Sequence, residues 1–222
     1  MSKQLTEAML QNHVHLGSIV KHAHPKTSRY RSGTENNMII LDAEKVGEQI
    51  ESAKKLIEDY RKENKTILLV CEKHVVLKDI EYIVENTGIH YFYVGTPSGI
   101  LTNFPTLMNR IKSMNKLEQF IVSDEFHTLT KKEQLMKKRQ LTKVQRVYKG
   151  VKDLKNKPDL VVLVDGKMLG KFVDEVEKVR AKSIVLANAD FDRYFDDQHL
   201  IVMNTKSQQS LAFVMRYIFG LS

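Results

Sequence analysis

Short apolar runs alternate with segments of helical period along most of this chain, from Met38 to the C-terminus. The run TILLVC at 66–71 and the run LVVLV at 160–164 are almost free of polar residues, which is typical of strands that are covered on both faces. Parallel strands need crossover connections, and helices usually supply them. The alternation therefore predicts an α/β fold with a parallel sheet flanked by helices.

Six runs are predicted as strands of this sheet, and they lie at 38–41, 66–71, 89–94, 160–164, 183–187 and 200–203. Helices are predicted between them where apolar residues recur every three or four positions. One such stripe follows the first strand and consists of Val46, Ile50, Ala53, Ile57 and Tyr60. Further helices are predicted over 75–87 and 207–219.

The connection between the strands at 89–94 and 160–164 is 65 residues long, which is far more than a simple crossover needs. It contains two apolar stripes of helical spacing, separated by a loop over 123–129. Packed against each other, the two stripes would form an antiparallel helical hairpin. We therefore predict a basic N-terminal arm at 1–37, a sheet domain at 38–104 and 156–222, and an inserted hairpin at 105–155. The stripes are Leu107, Ile111, Met114, Leu117 and Ile121, and then Leu141, Val144, Tyr148, Val151 and Leu154.

Positive charge is concentrated in the second half of this insertion. Residues 131–157 contain eleven of the 35 Lys and Arg residues but only two acids, Glu133 and Asp153, and the rest of the chain is close to neutral. A helix that is merely solvated usually mixes both signs, because neighbouring like charges repel each other. The imbalance predicts that the hairpin binds a polyanion. Its candidate contacts are Lys131, Lys132, Lys137, Lys138, Arg139, Lys143, Arg146 and Lys149.

The N-terminal arm is a second basic region, since residues 8–34 contain no acid and four of the eight histidines. No cysteine and no nearby carboxylate completes a ligand set, so we predict no metal site. Basic and histidine side chains in such an arm more often pack on the sheet or donate to phosphate and sugar. The candidate polyanion contacts in the arm are Lys21, His24, Lys26, Arg29 and Arg31.

Several classes of protein are disfavoured by composition. Cys71 is the only cysteine, so the chain can form neither an internal disulfide nor a cysteine metal cage, which suits a reducing compartment. No stretch approaches the roughly 18 apolar residues of a membrane span, and the N-terminus lacks a signal-peptide pattern. We therefore expect a soluble, intracellular protein that does not contact a membrane.

An enzyme on the same fold is the main alternative. In open parallel sheets ligands bind beyond the carboxyl ends of the strands, where Glu72, Lys73, Asp165 and Asn188 are expected. A nucleotide or sugar-phosphate enzyme could use these groups. The chain has neither GxxxxGK nor GxGxxG after a strand, and Cys71 is better explained as buried filling. We therefore predict no catalytic residue and no cofactor.

The loop ANADFDRYFDD at 187–197 offers a third possibility, a module that binds other proteins. Its four aspartates lack the glycine and the closing glutamate of a calcium loop. An acidic surface loop is therefore predicted, and Phe191, Tyr194 and Phe195 would anchor it to the sheet or to a neighbouring protein.

Six blocks, read in order, resemble the small-subunit ribosomal protein family two over about residues 10–219. The resemblance implies a flavodoxin-like sheet with a protruding helical hairpin, and a structural protein that docks on ribosomal RNA at the junction of head and body. RNA contacts of this kind read backbone shape and 2′-hydroxyls, and Asn103 and Arg110 join the candidates on that basis. The blocks are HVHLGS from His13, HPKTSRY from His24, MIILDA from Met38, SGILTNF from Ser98, TKKEQLMKKRQL from Thr130 and KPDLVVLVD from Lys157.

The same resemblance implies partners and a location. The partners are ribosomal RNA, neighbouring small-subunit proteins and, in bacteria, the large mRNA-binding ribosomal protein; the location is the ribosome of a bacterial cytoplasm or of an organelle matrix. The sequence departs from the family at Thr96 and Ser98, which replace Trp and Gly. It departs again at 187–189 and 204–206, where acidic residues are missing. Contact with the mRNA-binding protein is the implied property that these residues support least.

Overall fold

A computed structural model describes residues 3–193 and 198–221 of the chain. The helices are α1 (Lys3–Gln11), α2 (Ala43–Lys62), α3 (Leu77–Thr87), α4 (Phe104–Val122), α5 (Asp124–Thr128), α6 (Lys131–Tyr148), α7 (Gly170–Val179) and α8 (Gln208–Ile218). The strands are β1 (Leu16–Ile19), β2 (Arg31–Glu35), β3 (Met38–Leu41), β4 (Ile67–Cys71), β5 (His90–Phe92), β6 (Leu160–Val164), β7 (Ser183–Ala187) and β8 (Gln198–Val202).

The central sheet has five parallel strands in the order β5-β4-β6-β7-β8. Counted along the chain within this sheet, the order is 2-1-3-4-5, which is the flavodoxin-like order. Every residue of β4, β6 and β7 is buried, as expected for strands that are covered by helices on both faces. The predicted α/β flavodoxin-like fold is confirmed.

The prediction for 38–41 was wrong in one respect, because β3 is a strand of a separate sheet. It lies between β1 and β2 in a three-stranded antiparallel sheet. Asn36 and Asn37, with φ of 46° and 62°, form the two-residue turn between β2 and β3. Two consecutive residues with positive φ are the signature of a tight hairpin turn whose twist matches the flanking strands. The turn therefore pairs β3 with β2 in the predicted arm.

The α2 helix shows how a helix covers the core. Asp42 accepts hydrogen bonds from the backbone N–H groups of Glu44 and Lys45 and thereby caps the first turn. The predicted stripe faces inward, since Val46, Ile50, Ala53 and Ile57 are fully buried. None of the described helices is long and apolar enough to cross a membrane. The division of the chain into arm, sheet domain and hairpin at the stated boundaries stays a prediction.

The hairpin leaves the sheet after β5 and returns to it before β6. Its first helix, α4, buries Leu107, Ile111 and Met114, whereas α6 has no buried residue. Beyond α6 the chain returns to the sheet at Gly150, where a Cβ atom would lie 2.3 Å from the carbonyl oxygen of Tyr91. Only glycine fits so close to β5, so this contact fixes the base of the hairpin at the edge of the sheet.

The connection at the tip of the hairpin is more ordered than the predicted loop over 123–129. It contains the short helix α5, and Phe126 of this helix is 2% exposed. The ring of Phe126 meets that of Phe120 edge to face, with the centroids 6.1 Å apart. Gln134 donates to the carbonyl oxygens of Phe126 and Leu129. These contacts hold the tip against both long helices.

Candidate nucleic-acid interface

The α6 helix begins at a capping box. The Thr130 hydroxyl accepts from the Glu133 backbone N–H, and the Glu133 carboxylate accepts from the Thr130 backbone N–H at 3.0 Å. The Thr130 hydroxyl, and then its backbone N–H, hold the pKa of Glu133 below its ordinary value. Glu133, one of the two acids in the basic segment, is therefore used to cap the start of the helix.

Four cations form a stripe on the surface of α6 that faces away from α4. Lys132, Arg139, Lys143 and Arg146 lie within about 60° of one another at 100° per residue. All four are exposed. We call them the outer stripe. Over fourteen residues the stripe extends about 21 Å along the helix axis.

The opposite surface of α6 packs on the rest of the hairpin. Leu141 and Tyr148 lie about 180° from the outer stripe on this helix, and both are half-buried. The predicted antiparallel pair of stripes is therefore present. It orients the four cations toward solvent.

Within residues 3–193 and 198–221, no outer-stripe side chain forms an ion pair, and neither does Lys131, Lys137, Lys138 or Lys149. Of the eleven cations at 131–157, Lys152 is the one that pairs within those ranges, at 2.5 Å from Glu118 on α4. Lys152, followed by Gln145, lowers the pKa of Glu118. This pair joins α4 to the segment that follows α6, and the remaining cations carry uncompensated charge.

Two of the candidate lysines lie beside aromatic rings of the hairpin. The Lys137 Nζ atom is 6.0 Å from the Phe120 centroid, and the Lys138 Nζ atom is 5.6 Å from the Phe126 centroid. Ammonium groups at such distances are attracted to the ring face. Both lysines are exposed, so they extend the positive surface toward the tip.

The arm is bonded to the carboxyl edge of the sheet. Both the His24 backbone N–H and the Thr27 hydroxyl donate to the Ala189 carbonyl oxygen at 2.8 Å. The Arg31 guanidinium donates to the His24 carbonyl oxygen and the Thr27 hydroxyl, and the His24 ring accepts from the Lys26 backbone N–H. Of the predicted RNA contacts, His24 thus bonds the arm to the sheet through its backbone, and Arg31 forms its bonds within the arm.

The other three cations of the arm are exposed. These are Lys21, Lys26 and Arg29, and the Arg29 guanidinium lies 4.6 Å from the centroid of the Tyr30 ring. They form a smaller positive region than α6.

Asn103 and Arg110 lie at the base of the hairpin. Asn103 is exposed, and its side-chain oxygen accepts from the Thr106 hydroxyl at 2.8 Å. Arg110 lines a cleft of about 320 Å³ between α4 and α6, together with Val144 and Tyr148. Arg110 therefore lies on a different surface from the outer stripe.

The structure does not bring all the predicted contacts into one cluster. The hairpin begins beyond β5, at one end of the sheet, whereas the arm is bonded to the residue Ala189 beyond β7. Strands β4 and β6 lie between them. The candidates form two separate positive regions, a large one on α6 and a small one on the arm.

Charged residues at the place where an enzyme of this fold would bind its ligand are engaged in internal contacts. In the flavodoxin-like order this place lies beyond β4 and β6. There the Lys73 Nζ atom is 2.5 Å from the Asp165 carboxylate and also 2.5 Å from the Thr205 carbonyl oxygen. Glu72 accepts from the Thr96 backbone N–H at 2.7 Å. The charged groups that the enzyme alternative would require are thus used within the fold.

The acidic loop beyond β7 is described only in part. Phe191 is buried, Asp190 pairs with Lys167 at 2.9 Å, and Arg193 pairs with Asp174 on α7. Tyr194, Phe195, Asp196 and Asp197 lie outside the described residues. Among the described residues, no group of three or more His, Cys, Asp or Glu side chains could hold a metal ion.

One polar residue of structural importance was missed in the sequence. Glu175 on α7 is 8% exposed, and its carboxylate accepts four hydrogen bonds from the loop at 99–102. Its only sequence signal is its position next to Val176 on a helix whose buried face also includes Phe172 and Val173. A single acid beside an apolar stripe gives no hint of its partners.

Comparison with known proteins gives matches over nearly the whole chain. A model of the family described as Ribosomal protein S2 matches residues 9–220. The small ribosomal subunit protein uS2 of Coprothermobacter proteolyticus is 32% identical over 190 residues, which cover 86% of this chain and 69% of that protein. The protein of the same name from Dictyoglomus thermophilum is 30% identical over 192 residues, or 86% and 78% of the two chains. The one from Thermus thermophilus is 30% identical over 207 residues, or 93% and 80%.

Proposed function

The chain belongs to the ribosomal protein S2 family, as six sequence blocks predicted, and from this premise we propose that it is a structural component of the small ribosomal subunit. In this proposal it binds ribosomal RNA chiefly through α6. The observation that carries the proposal is the outer stripe, Lys132, Arg139, Lys143 and Arg146, which is exposed and without ion pairs in the described parts of the chain.

Charge density explains why a nucleic acid suits this surface. Four unpaired cations over about 21 Å repel one another in the free protein. Phosphate groups relieve that repulsion, and the release of their condensed counterions adds to the free energy of binding. The contacts require no base sequence, because A-form RNA hides its base edges in a narrow major groove. The stripe is therefore proposed to bind the sugar-phosphate backbone.

The arm is proposed to supply the second contact, through Lys21, Lys26 and Arg29. Two positive regions at different places on one rigid sheet suit a protein that bridges separate RNA elements. The family resemblance implies a position at the junction of the head and body, beside other small-subunit proteins, and we propose that position for this chain. The seating of the large mRNA-binding protein is the weakest part of this proposal, because the substitutions at 187–189 and 204–206 remove acidic residues.

Sucrose-gradient fractionation with and without ribonuclease tests the proposal. The protein should sediment with small subunits in untreated lysate and move to the top of the gradient after ribonuclease digestion. A complex that persists unchanged through complete RNA digestion would instead indicate a protein-interaction module.

A further inference from the structure

We propose that Glu175 is a positioning residue that fixes the direction in which the hairpin leaves the sheet. The inference uses the proposed function only to explain why this direction matters. Its central evidence is the set of hydrogen bonds that the Glu175 carboxylate accepts.

Both carboxylate oxygens of Glu175 are used. One accepts from the backbone N–H groups of Leu101 and Thr102, at 2.5 and 2.8 Å, and from the Thr102 hydroxyl at 3.1 Å. The other accepts from the backbone N–H of Gly99 at 2.9 Å. A carboxylate can accept several such bonds at once, and charged acceptors make them strong. Without Glu175, three backbone N–H groups of one short loop would lose their acceptor.

The loop that Glu175 holds is the base of the hairpin. Only Asn103 separates Thr102 from the start of α4 at Phe104. The loop has no strand partner of its own and one backbone bond across it, from the Asn103 N–H to the Gly99 carbonyl oxygen at 2.8 Å. Its other backbone N–H groups at 99–102 that are bonded donate to a side chain. The Glu72 carboxylate holds the start of the same loop through the Thr96 backbone N–H. The two glutamates, from α7 and from the end of β4, thus set the position of α4 relative to the sheet.

A small tilt at the base of the hairpin would move its tip by a large distance. The 19 residues of α4 span about 28 Å, so a tilt of about 10° at Thr102 would move the far end by about 5 Å. Hydrogen bonds to phosphate tolerate displacements of only a few tenths of an ångström. The carboxylate of Glu175 therefore acts on RNA binding through the orientation of the hairpin, without touching RNA.

Distance measurements between spin labels on the whole chain test this inference. Lys55→Cys on α2 and Thr142→Cys on α6 place one label on the body and one on the hairpin, and both positions are exposed. The native Cys71 is fully buried and should not be labelled. In the parent the distribution of distances should be narrow. The variant E175Q presents an amide NH₂ to the loop, which leaves at least one N–H without an acceptor and should broaden the distribution.

The matched control is E177Q, on the same helix. Glu177 is exposed, and its substitution makes the same change in charge two residues away, so the distribution should stay narrow. Equal widths for E175Q and E177Q would overturn the inference. If E175Q fails to fold, E175D is measured instead, because it keeps the charge but withdraws the carboxylate by one methylene. Broadening in E175D supports the inference, and the parent width overturns it.

Binding to purified small-subunit ribosomal RNA separates this inference from the proposed function. Loss of affinity in E175Q, with the outer stripe intact, is expected if hairpin direction matters for binding. Parent protein that does not bind this RNA would contradict the proposed function, yet the label distances would still decide the role of Glu175.

Discussion

The sheet domain and the hairpin handle their charges in opposite ways. In the sheet domain, charged groups at partly buried positions meet partners: Lys73 pairs with Asp165, and Arg216 lies 2.6 Å from Asp79, whose side chain is 7% exposed. On α6, the cations of the outer stripe have no acidic partner in the described parts of the chain. The paired charges contribute to folding, whereas the unpaired cations of α6 are the ones that we propose to bind another molecule.

The position of the hairpin relative to the sheet is fixed at its two ends. Because α6 buries no residue of its own, its place depends on anchors at both ends. At the base, Gly150 lies against Tyr91, and Lys152 pairs with Glu118. At the tip, Phe126 is buried against Phe120. The middle of α6 is left free to present its cations.

Reversal of the outer stripe should give the largest effect. Replacement of Lys132, Arg139, Lys143 and Arg146 by glutamate should abolish incorporation into small subunits, because it puts repulsion where phosphate contacts are proposed. Substitution of any one of these four residues by alanine should make the slope of log affinity against log salt less steep, by somewhat under one unit. Sucrose gradients measure the first result and salt-dependent RNA binding the second.

The control places the same number of reversals on the sheet domain, at the exposed residues Lys55, Lys78, Lys178 and Lys206. Incorporation should persist in this variant. Equal loss in both variants would show that only total charge matters, and the distinction between the two regions would fail.

The ion pair of the sheet domain should affect folding but not RNA binding. Asp165→Asn leaves the ammonium of Lys73 without its carboxylate at a site where the two side chains are 17% and 13% exposed. The free energy of unfolding should fall by about 3 kcal/mol, measured by urea denaturation. Asp59→Asn removes the partner of Lys62 from a pair whose side chains are both more than half exposed. This substitution should change the free energy of unfolding by less than about 1 kcal/mol. Similar losses in the two variants would contradict the comparison.

The base of the hairpin should be sensitive to one added methyl group. Gly150→Ala forces a Cβ atom into the carbonyl oxygen of Tyr91, so the free energy of unfolding should fall by about 1–3 kcal/mol. Gly33→Ala in β2 is the matched control, since no atom lies within 4 Å of its added Cβ. An unchanged denaturation midpoint for Gly150→Ala would show that the hairpin is not fixed there.

The smallest expected effect concerns pH at the start of α6. Bonds from Thr130 lower the pKa of Glu133, so its ionised form stabilises the folded helix. This contribution is complete above the ordinary glutamate pKa of about 4.3 and is lost as the pH falls through the lower value of the folded state. Side-chain NMR titration should therefore show Glu133 ionising at lower pH in the parent than in Thr130→Ala. An identical titration in the two proteins would contradict the capping role.

Much of the sheet could be predicted because its strands are continuous apolar runs that no solvated segment would contain. The sheet to which the run at 38–41 belongs was predicted wrongly for a physical reason. Apolar character shows that a strand is buried, but it does not show which strand is its partner. Its partner was set by the turn at Asn36 and Asn37, whose positive φ angles are an indirect signal in sequence.

The candidate site was predicted less evenly. Charge imbalance located the basic helix, and helical spacing then decided which cations face outward. The same reasoning did not decide that the His24 backbone bonds the arm to the sheet, or that Arg31 forms its bonds within the arm. Nor could it find Glu175, because its partners are backbone groups more than 70 residues away. Contacts to backbone leave no pattern in side-chain chemistry.

The exposed cationic surface of α6 has a consequence for copies of the protein that are made in excess. A trypsin-like protease cuts after lysine and arginine, and it needs segments that can be drawn out of the fold; α6 offers many such bonds and little packing to protect them. We expect limited digestion of the free chain to begin between residues 131 and 149, and an initial cut inside the sheet would refute this. Copies that are not bound to RNA would then be digested first, so under the proposed function the amount of the protein would follow the amount of ribosomal RNA.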